Sequence, residues 1–161
     1  RSKQKGEDGI RSVGSTYGIL RTSWVVSSHG TNFVKAMLNL SENRDTLSLV
    51  ADQIGGPTPA KDIAKACLEI VDQLKQDPSK SGTYHFSGAE DVSWAEFATE
   101  IFQQTRRSMS VLPIPTSDYP TPAVRPLNSR LNCSKTGEVF SIHQPDWRMG
   151  LNDILNELGV I

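Results

Sequence analysis

The stretch Tyr17-Gly-Ile-Leu-Arg-Thr-Ser-Trp-Val-Val26 decides the fold class of this chain. Its β-branched and aromatic residues, approached through the turn-forming Gly14, predict a strand. A helix is predicted directly after it, because Thr31 or Asn32 can cap an N-terminus. The apolar residues that follow recur at helical spacing on one face: Phe33, Val34, Met37 and Leu38. A strand followed at once by an amphipathic helix is the repeating unit of α/β folds.

The same alternation continues along the chain. Short strands are predicted at residues 46–50 and 82–86, separated by a helix that Thr58-Pro59 opens. Residues 52–58 between the first of these strands and that helix carry the turn signals of a loop. The sequence therefore predicts an α/β fold with short, mostly parallel strands alternating with helices.

Residues 93–161 combine two capped helices with a proline-rich stretch. Ser93-Trp-Ala-Glu96 has the pattern of a capping box, in which the serine and glutamate side chains each satisfy an orphan amide. The helix that it opens is expected to bury one apolar stripe: Trp94, Phe97, Ile101 and Phe102. Asp146 can cap a last helix. Residues 111–128 contain five prolines, so a long loop is predicted there, of the kind that often binds a ligand.

Composition excludes several classes of protein. Apolar residues make up 37% of the chain and charged residues 22%, as in an ordinary globular domain. The net charge of -1 argues against a nucleic-acid partner, and no apolar run predicts a membrane span. Cys67 and Cys133 lack a CxxC spacing, and Cys67 falls on an apolar helical face where a small core residue is expected. A reduced, cytoplasmic location is the expectation that follows.

Motifs for phosphate or metal chemistry are missing from the sequence. It contains no GxGxxG, no Walker A loop and no GxSxG, and its three histidines are isolated from one another. From the residues alone, the chain is an α/β domain with one loop suited to binding and no self-evident active site.

Five segments, in this order and spacing, change that interpretation. They are Arg1-Ser-Lys3-x-x-Gly6-Glu7, Leu20-Arg-Thr-Ser-Trp-Val25, Asp52-Gln-x-Gly-x-Pro-Thr58, Gly82-Thr-Tyr-His-Phe-Ser-Gly88, and Arg125-Pro-x-x-Ser129-x-Leu131-x-x-x-Lys135 followed by Trp147. Together they resemble the dTDP-4-dehydrorhamnose reductase family, extended members of the short-chain dehydrogenase/reductases. The resemblance covers essentially the whole chain.

The resemblance implies a C-terminal part of an extended Rossmann-type reductase. Residues 1–26 would be a remnant of the Rossmann domain, with the end of the catalytic helix and the strand after it. Residues 27–161 would be the substrate-binding α/β portion. The N-terminal nucleotide-binding part, which binds most of the NADP(H), would be absent, together with the catalytic tyrosine four positions before Lys3. The expected reaction is reduction of the 4-keto group of dTDP-4-dehydro-L-rhamnose to dTDP-L-rhamnose, and this chain alone would be inactive.

Site residues are carried over on the same basis. Lys3 would be the catalytic lysine that also binds the nicotinamide ribose, the alternative being a solvated surface lysine. Trp24 would contact the substrate, the alternative being a core residue. Arg125 would hold the diphosphate or else pin the proline-rich loop to a carboxylate. Asp52 would position a sugar hydroxyl or else serve only as a loop residue.

Metal, partners and rival functions complete these expectations. Lys61 stands where some family members carry an acid for which a divalent metal has been invoked, and a protonated lysine cannot ligate a cation, so metal dependence is doubtful. The expected partner is the dTDP-sugar, and a homodimer stays open. Two other functions remain: a non-catalytic regulatory binding subunit with the same fold, and a reductase or epimerase of another nucleotide-sugar.

Overall fold

The structure is a computed structural model that describes residues 2–123 and 125–161. Within these residues lie six α-helices: α1 Ser2–Ser12, α2 Phe33–Leu40, α3 Ala60–Gln76, α4 Trp94–Gln104, α5 Ser134–Phe140 and α6 Trp147–Glu157. The strands are β1 Gly18–Arg21, β2 Val25–Val26, β3 Thr46–Val50, β4 Ile54–Gly55, β5 Thr58–Pro59, β6 Gly82–His85, β7 Val92–Ser93 and β8 Ser110–Ile114. Short 3₁₀ turns occupy Pro78–Lys80 and Thr116–Asp118.

The strands associate in pairs, most of them parallel. β1 pairs with β6, β2 with β5 and β3 with β8, all in parallel, whereas β4 and β7 run antiparallel. Each parallel pair is bridged by an intervening helical segment, as parallel pairing requires. The predicted α/β class with mostly parallel strands is confirmed.

Two apolar cores hold these layers together. The larger joins one face each of α2, α4 and α6 to β3 and contains several side chains with no exposed surface: Val34, Phe97, Ile101, Leu151 and Leu155. The smaller lies under α3 and packs that helix on β6 and α5 through Ile70, Leu74, Tyr84, Phe86 and Phe140. The predicted caps of these helices are present: Asn32 on α2, the Ser93–Glu96 capping box on α4, and Asp146 on α6.

The strand predicted across residues 17–26 is interrupted. The chain leaves β1 at Arg21 and enters β2 at Val25, and between them Trp24 has a φ of +47°. This left-handed conformation is costly for a bulky residue. The break allows the two halves to pair with different partners, since β1 lies beside β6 and β2 beside β5.

Two more boundary predictions are wrong. Pro59 is not the first residue of α3: it forms β5 with Thr58 and is the N-cap of the helix, which begins at Ala60. The Thr58 amide donates to the Trp24 carbonyl at 3.0 Å. Pro113, placed in a loop by the sequence, lies in β8 opposite Leu49. Proline is tolerated in a strand where its missing N–H faces away from the ladder, and β8 has β3 as its strand partner among the described residues.

The prediction that Cys67 is a core residue is also wrong, because its side chain is exposed. α3 directs Ala66, Ile70 and Leu74 into the core. Cys67 is next to Ala66 in sequence and therefore lies about 100° around the helix from the buried face.

Gly88 is a position where we expect a large loss of stability on substitution. A Cβ there would lie 2.0 Å from the Pro57 carbonyl oxygen and 2.9 Å from Trp147 Cβ, neither of which can move without the backbone. Gly88→Ala should lower the free energy of unfolding by about 3 kcal/mol, the upper end of the usual cost of overpacking. Gly9→Ala is the matched control, since a Cβ on Gly9 meets nothing within 4 Å. Urea denaturation would measure both, and equal midpoints for the two variants would contradict the expectation.

Candidate functional site

The candidate site is built around β4, the two-residue strand Ile54–Gly55. On one side β4 pairs with β7, with Ile54 opposite Ser93. On the other side the Ile54 amide donates to the Leu127 carbonyl at 2.9 Å, and the Ser129 amide donates to the Ile54 carbonyl at 2.8 Å. β4 therefore fixes the end of the proline-rich segment beside the start of α4.

Trp24 packs over this strand. Its ring stacks on that of Trp94 with 3.5 Å between centroids and 9° between planes. A Cβ on Gly55 would lie 2.8 Å from the Trp24 ring, so only glycine allows this approach. Both tryptophans are partly exposed. Trp24 thus lies at the surface, between the end of β1 and the start of β2. Its backbone has a strained conformation of the kind that clusters at functional sites.

Asp52 anchors the other end of the proline-rich segment. Its two carboxylate oxygens each accept the Thr116 amide at 3.0 Å, and Oδ1 accepts the Thr116 hydroxyl at 2.6 Å. These hydrogen bonds, from the hydroxyl first and the amide second, lower the pKa of Asp52. Gln53 adds a bond from Nε2 to the Thr116 hydroxyl at 3.1 Å. Asp52 therefore has a structural role in the loop through its bonds with Thr116. Any contact with a sugar would use the remaining lone pairs of the Asp52 carboxylate.

Arg125 lies on the segment between these two anchors and is exposed. The ion pairs found among residues 2–123 and 125–161 do not include its guanidinium. Among the described residues, Arg125 thus forms no ion pair that would pin the loop to a carboxylate. The segment is held instead at Thr116 and at residues 127–129, and it presents Arg125 to solvent.

Lys3 lies apart from these three residues in sequence, on the exposed first turn of α1; Arg1 of the same motif falls outside the described residues. One helical turn further on, Glu7 binds Arg21, the last residue of β1. Hydrogen bonding and charge from Arg21, together with the nearby Arg11, hold the pKa of Glu7 at about 2. The lysine helix is therefore tied to the strand that leads into Trp24.

A cavity lies elsewhere in the described part of the chain. It has a volume of about 800 Å³ and is bounded by the loop after β2, the start of α3 and one face of α6. Trp24, Asp52 and Arg125 do not line it. Lys61 lies at its edge with Nζ 3.6 Å from Asp153 Oδ2, and burial raises the pKa of Asp62 beside it. Within the described ranges no group of three or more His, Cys, Asp or Glu side chains has the arrangement of a metal site.

The residues of this chain offer little to a dinucleotide. One turn has strand–turn–helix form and a glycine at positive φ, namely the turn from β2 through Gly30 to α2. The amides at the start of α2 are already used, because Asn32 Oδ1 accepts from Val34 at 3.1 Å and from Lys35 at 3.4 Å. A pyrophosphate would compete with that cap. The cofactor-binding role of Lys3 stays a prediction.

Asp52→Ala should loosen the proline-rich segment, because the Thr116 amide and the Thr116 hydroxyl both lose their acceptor. We expect limited proteolysis within residues 115–127 to accelerate several-fold at neutral pH, with global stability changed by about 1–2 kcal/mol or less. Since the pKa of Asp52 is lowered on folding, the stabilisation from this anchor is fully present above the ordinary pKa of 3.8 and is lost as the pH falls from there through the lowered pKa. Asp118→Asn, in the same segment, is the control. Equal cleavage rates in the two variants would show that Asp52 is not the anchor.

The fold and the site define an α/β domain with a candidate binding site at strand ends under a proline-rich segment. The chain belongs to the family described as RmlD substrate binding domain, whose family model it matches over residues 1–160. It is 44% identical over 153 residues to the dTDP-4-dehydrorhamnose reductase of Sinorhizobium fredii, covering 91% of this chain and 52% of that protein. Identity to the reductase of Aggregatibacter actinomycetemcomitans is 42%, covering 96% of this chain and 55% of that protein. The chain thus spans about half the length of the curated relatives it matches.

Solved structures agree with this family. A dTDP-4-dehydrorhamnose reductase from Clostridium acetobutylicum superposes with a TM-score of 0.88 at 34% identity, over 98% of this chain and 54% of that one. The Bacillus anthracis reductase, solved in complex with NADP, gives 0.83 at 36% identity, over 97% of this chain and 53% of that one. The resemblance read from the sequence motifs is confirmed. No helix in residues 2–123 or 125–161 is long and apolar enough to cross a membrane.

Sequence reasoning missed three contributors to the site. Trp94 was assigned to the buried stripe of α4, but it is partly exposed and stacks on Trp24. The sequence assigns Thr116 and Gln53 no role in holding the proline-rich segment, although the Thr116 hydroxyl donates to Asp52 and Gln53 Nε2 donates to the Thr116 hydroxyl. The partial exposure of Trp94 could have been predicted, because the first residue after a capping serine lies at a helix end rather than in the middle of a core.

Proposed function

We propose that this chain is the C-terminal, substrate-side part of an NADPH-dependent dTDP-4-dehydrorhamnose reductase. The reaction reduces the 4-keto group of dTDP-4-dehydro-L-rhamnose to give dTDP-L-rhamnose. The observation that carries the proposal is the convergence of Trp24, β4 and the anchored proline-rich segment in a family whose relatives have this name. Ligands of open α/β sheets bind at the carboxyl ends of the strands, which is where Trp24 lies.

Each side chain of the site has a role suited to a nucleotide-sugar. The partly exposed Trp24 offers a flat apolar surface that excludes water from a sugar ring. Arg125 presents a planar, permanently charged fork that suits a diphosphate. Asp52 holds the segment that carries Arg125, and its spare lone pairs can accept from a sugar hydroxyl. The proline-rich segment would therefore bring the charge for the diphosphate to the strand end that holds the sugar.

Lys3 acts on the proton rather than on the sugar. A tyrosine four residues before Lys3 would lie one helical turn away, and an ammonium there favours the phenolate form. Tyrosine ordinarily has a pKa near 10, so acid–base use near neutral pH requires a downward shift of about 3 units, or about 4 kcal/mol. In this proposal NADPH binds mainly to the part of the protein that precedes Lys3, and it would supply the hydride.

The division of labour can be tested on residues 1–161 by titration with NADPH. We expect no binding in the low micromolar range, because this part of the chain has no glycine-rich strand–turn–helix for the pyrophosphate and the α2 amides are capped by Asn32. Full-length protein, in which a nucleotide-binding half precedes Lys3, serves as the positive control. A low-micromolar Kd for residues 1–161 would contradict the assignment of the cofactor site to the preceding half.

A further inference from the structure

Within residues 2–123 and 125–161, apolar packing does not hold helix α1, which carries Lys3, to the domain. None of its residues is buried, and its one large apolar side chain, Ile10, is 46% exposed. An isolated helix of 11 residues is marginal in water. The position of Lys3 relative to the sheet must therefore depend on polar contacts.

Those contacts come from two residues on one face of the helix. Glu7 accepts from Arg21 at both oxygens, at 2.8 Å from Nε and 2.6 Å from Nη2. Arg11 donates to Glu7 Oε2 at 2.8 Å and to the Thr83 hydroxyl on β6 at 3.0 Å. Among residues 2–123 and 125–161, the other side-chain hydrogen bonds of α1, such as Gln4 to Asp8, stay within the helix.

The geometry of this contact fixes an orientation as well as a position. A bidentate pair between a carboxylate and the Nε/Nη2 edge of arginine allows one planar arrangement, whereas a single bond would let the helix rotate. The Glu7 side chain is only 15% exposed, so solvent and salt screen it less than an ordinary surface pair. Arg21 ends β1, and Phe86 donates its amide to the Arg21 carbonyl at 2.9 Å, so the arginine donor of the latch belongs to a rigid strand pair.

We propose that the Glu7–Arg21 pair is a latch that positions the catalytic helix, so that Glu7 is a positioning residue for the reaction although it does not touch the substrate. Lys3 and Glu7 are four residues apart and share a helical face, so the latch sets the rotation and height of Lys3 above the end of β1. The same strand end leads through residues 22–23 to Trp24. The latch thus fixes the lysine relative to the candidate sugar site. The catalytic consequence rests on the proposed function, whereas the attachment of the helix does not.

Hydrogen exchange on residues 1–161 tests the attachment. Glu7→Gln removes the charge and one acceptor, and we expect exchange of the α1 amides to accelerate at least tenfold, with amides of β3 and α4 unchanged. Asp8→Asn is the matched control, because Asp8 lies in the same helix and bonds only to Gln4 and Arg11 within it. Equal exchange in α1 for Glu7→Gln and Asp8→Asn would overturn the latch.

Kinetics of the full-length protein test the catalytic consequence. Glu7→Gln and Arg21→Met should each lower kcat roughly 10- to 100-fold with KM for the nucleotide-sugar nearly unchanged, since a small misplacement of a catalytic group has an effect of this size. Arg21→Lys should recover only part of the loss, and Asp8→Asn should stay within about twofold. An unchanged kcat in Glu7→Gln, with α1 exchange accelerated, would overturn the positioning role. A wild-type protein that reduces no nucleotide-sugar would instead overturn the proposed function, and the exchange result would still decide the latch.

Discussion

In the full-length protein, replacing Lys3 with methionine should lower kcat by roughly 100-fold or more while changing KM for the nucleotide-sugar little. Methionine keeps most of the length of the side chain but removes the ammonium that, in the proposed mechanism, favours the phenolate of a tyrosine four residues earlier. Acid–base catalysis by a positioned group contributes about 10²- to 10⁴-fold, and in that mechanism most of the contribution would depend on the shifted tyrosine. Steady-state kinetics at several pH values would measure the effect. The pH above which kcat falls should move upward in the variant, because reduction needs a protonated proton donor and loss of the ammonium would raise the pKa of that donor.

Lys5→Met provides the control for this experiment. Lys5 lies on the same exposed helix, two residues further on and about 200° around the axis, so it removes the same charge from another face. We expect its kcat within about twofold of wild type. A Lys3 variant with wild-type turnover would show that Lys3 is a solvated surface residue, and the catalytic assignment would fall.

Trp24→Ala should lower kcat/KM for the nucleotide-sugar by roughly 100-fold and leave the affinity for NADPH nearly intact. The loss corresponds to about 2.7 kcal/mol, which is reasonable for a large aromatic surface that excludes water from a bound sugar. Trp24→Phe should recover much of it, because phenylalanine keeps a flat apolar face over Gly55. Steady-state kinetics and NADPH titration would be run on the same preparations.

Thermal unfolding must accompany these kinetics, because Trp24 also stacks on Trp94. Trp94→Ala removes the same stacking contact from the other side. Its loss of Tm therefore measures how much the stack contributes to stability. If Trp24 binds substrate, Trp24→Ala should lose far more activity than Trp94→Ala at a comparable loss of Tm. A fall in activity that only follows the fraction of folded protein, equal in both variants, would assign Trp24 to packing alone.

Local patterns in the sequence predicted most of the helices well. Asn32, the Ser93–Glu96 capping box and Asp146 all cap the helices they were expected to cap, because a cap depends on residues within one turn of each other. The inward face of α4 followed from its spacing for the same reason, and Phe97, Ile101 and Phe102 are buried.

Strand boundaries depended on partners distant in sequence and were harder to predict. The break at Trp24 exists because β1 and β2 pair with strands that lie about 60 and 30 residues away. Pro113 lies in β8 because β3 offers it a position in the ladder, which no local signal encodes. The spacing of apolar residues in α3 predicted that Cys67 is buried. The placement of β6 and α5 under α3 decides which side of that helix is buried.

The candidate site shows the same division. Its members Lys3, Trp24, Asp52 and Arg125 came from ordered motifs, whereas the contacts that arrange them could not be read from the sequence. Asp52 meets Thr116 across 64 residues, and Glu7 meets Arg21 across 14. The apolar cores set the placement of the elements that carry Asp52 and Thr116, whereas the Glu7–Arg21 contact itself holds α1 against β1.

The most direct measurement is an assay of the full-length protein with NADPH and dTDP-4-dehydro-L-rhamnose, with the sugar product identified by NMR. We expect one NADPH oxidised for each dTDP-L-rhamnose formed, and much slower oxidation with 4-keto sugars linked to UDP or GDP. Residues 1–161 alone should give no turnover. Failure to oxidise NADPH with the dTDP-sugar, by a folded full-length protein that binds NADPH, would contradict the proposed reductase activity; faster turnover of a UDP- or GDP-linked sugar would contradict the proposed substrate.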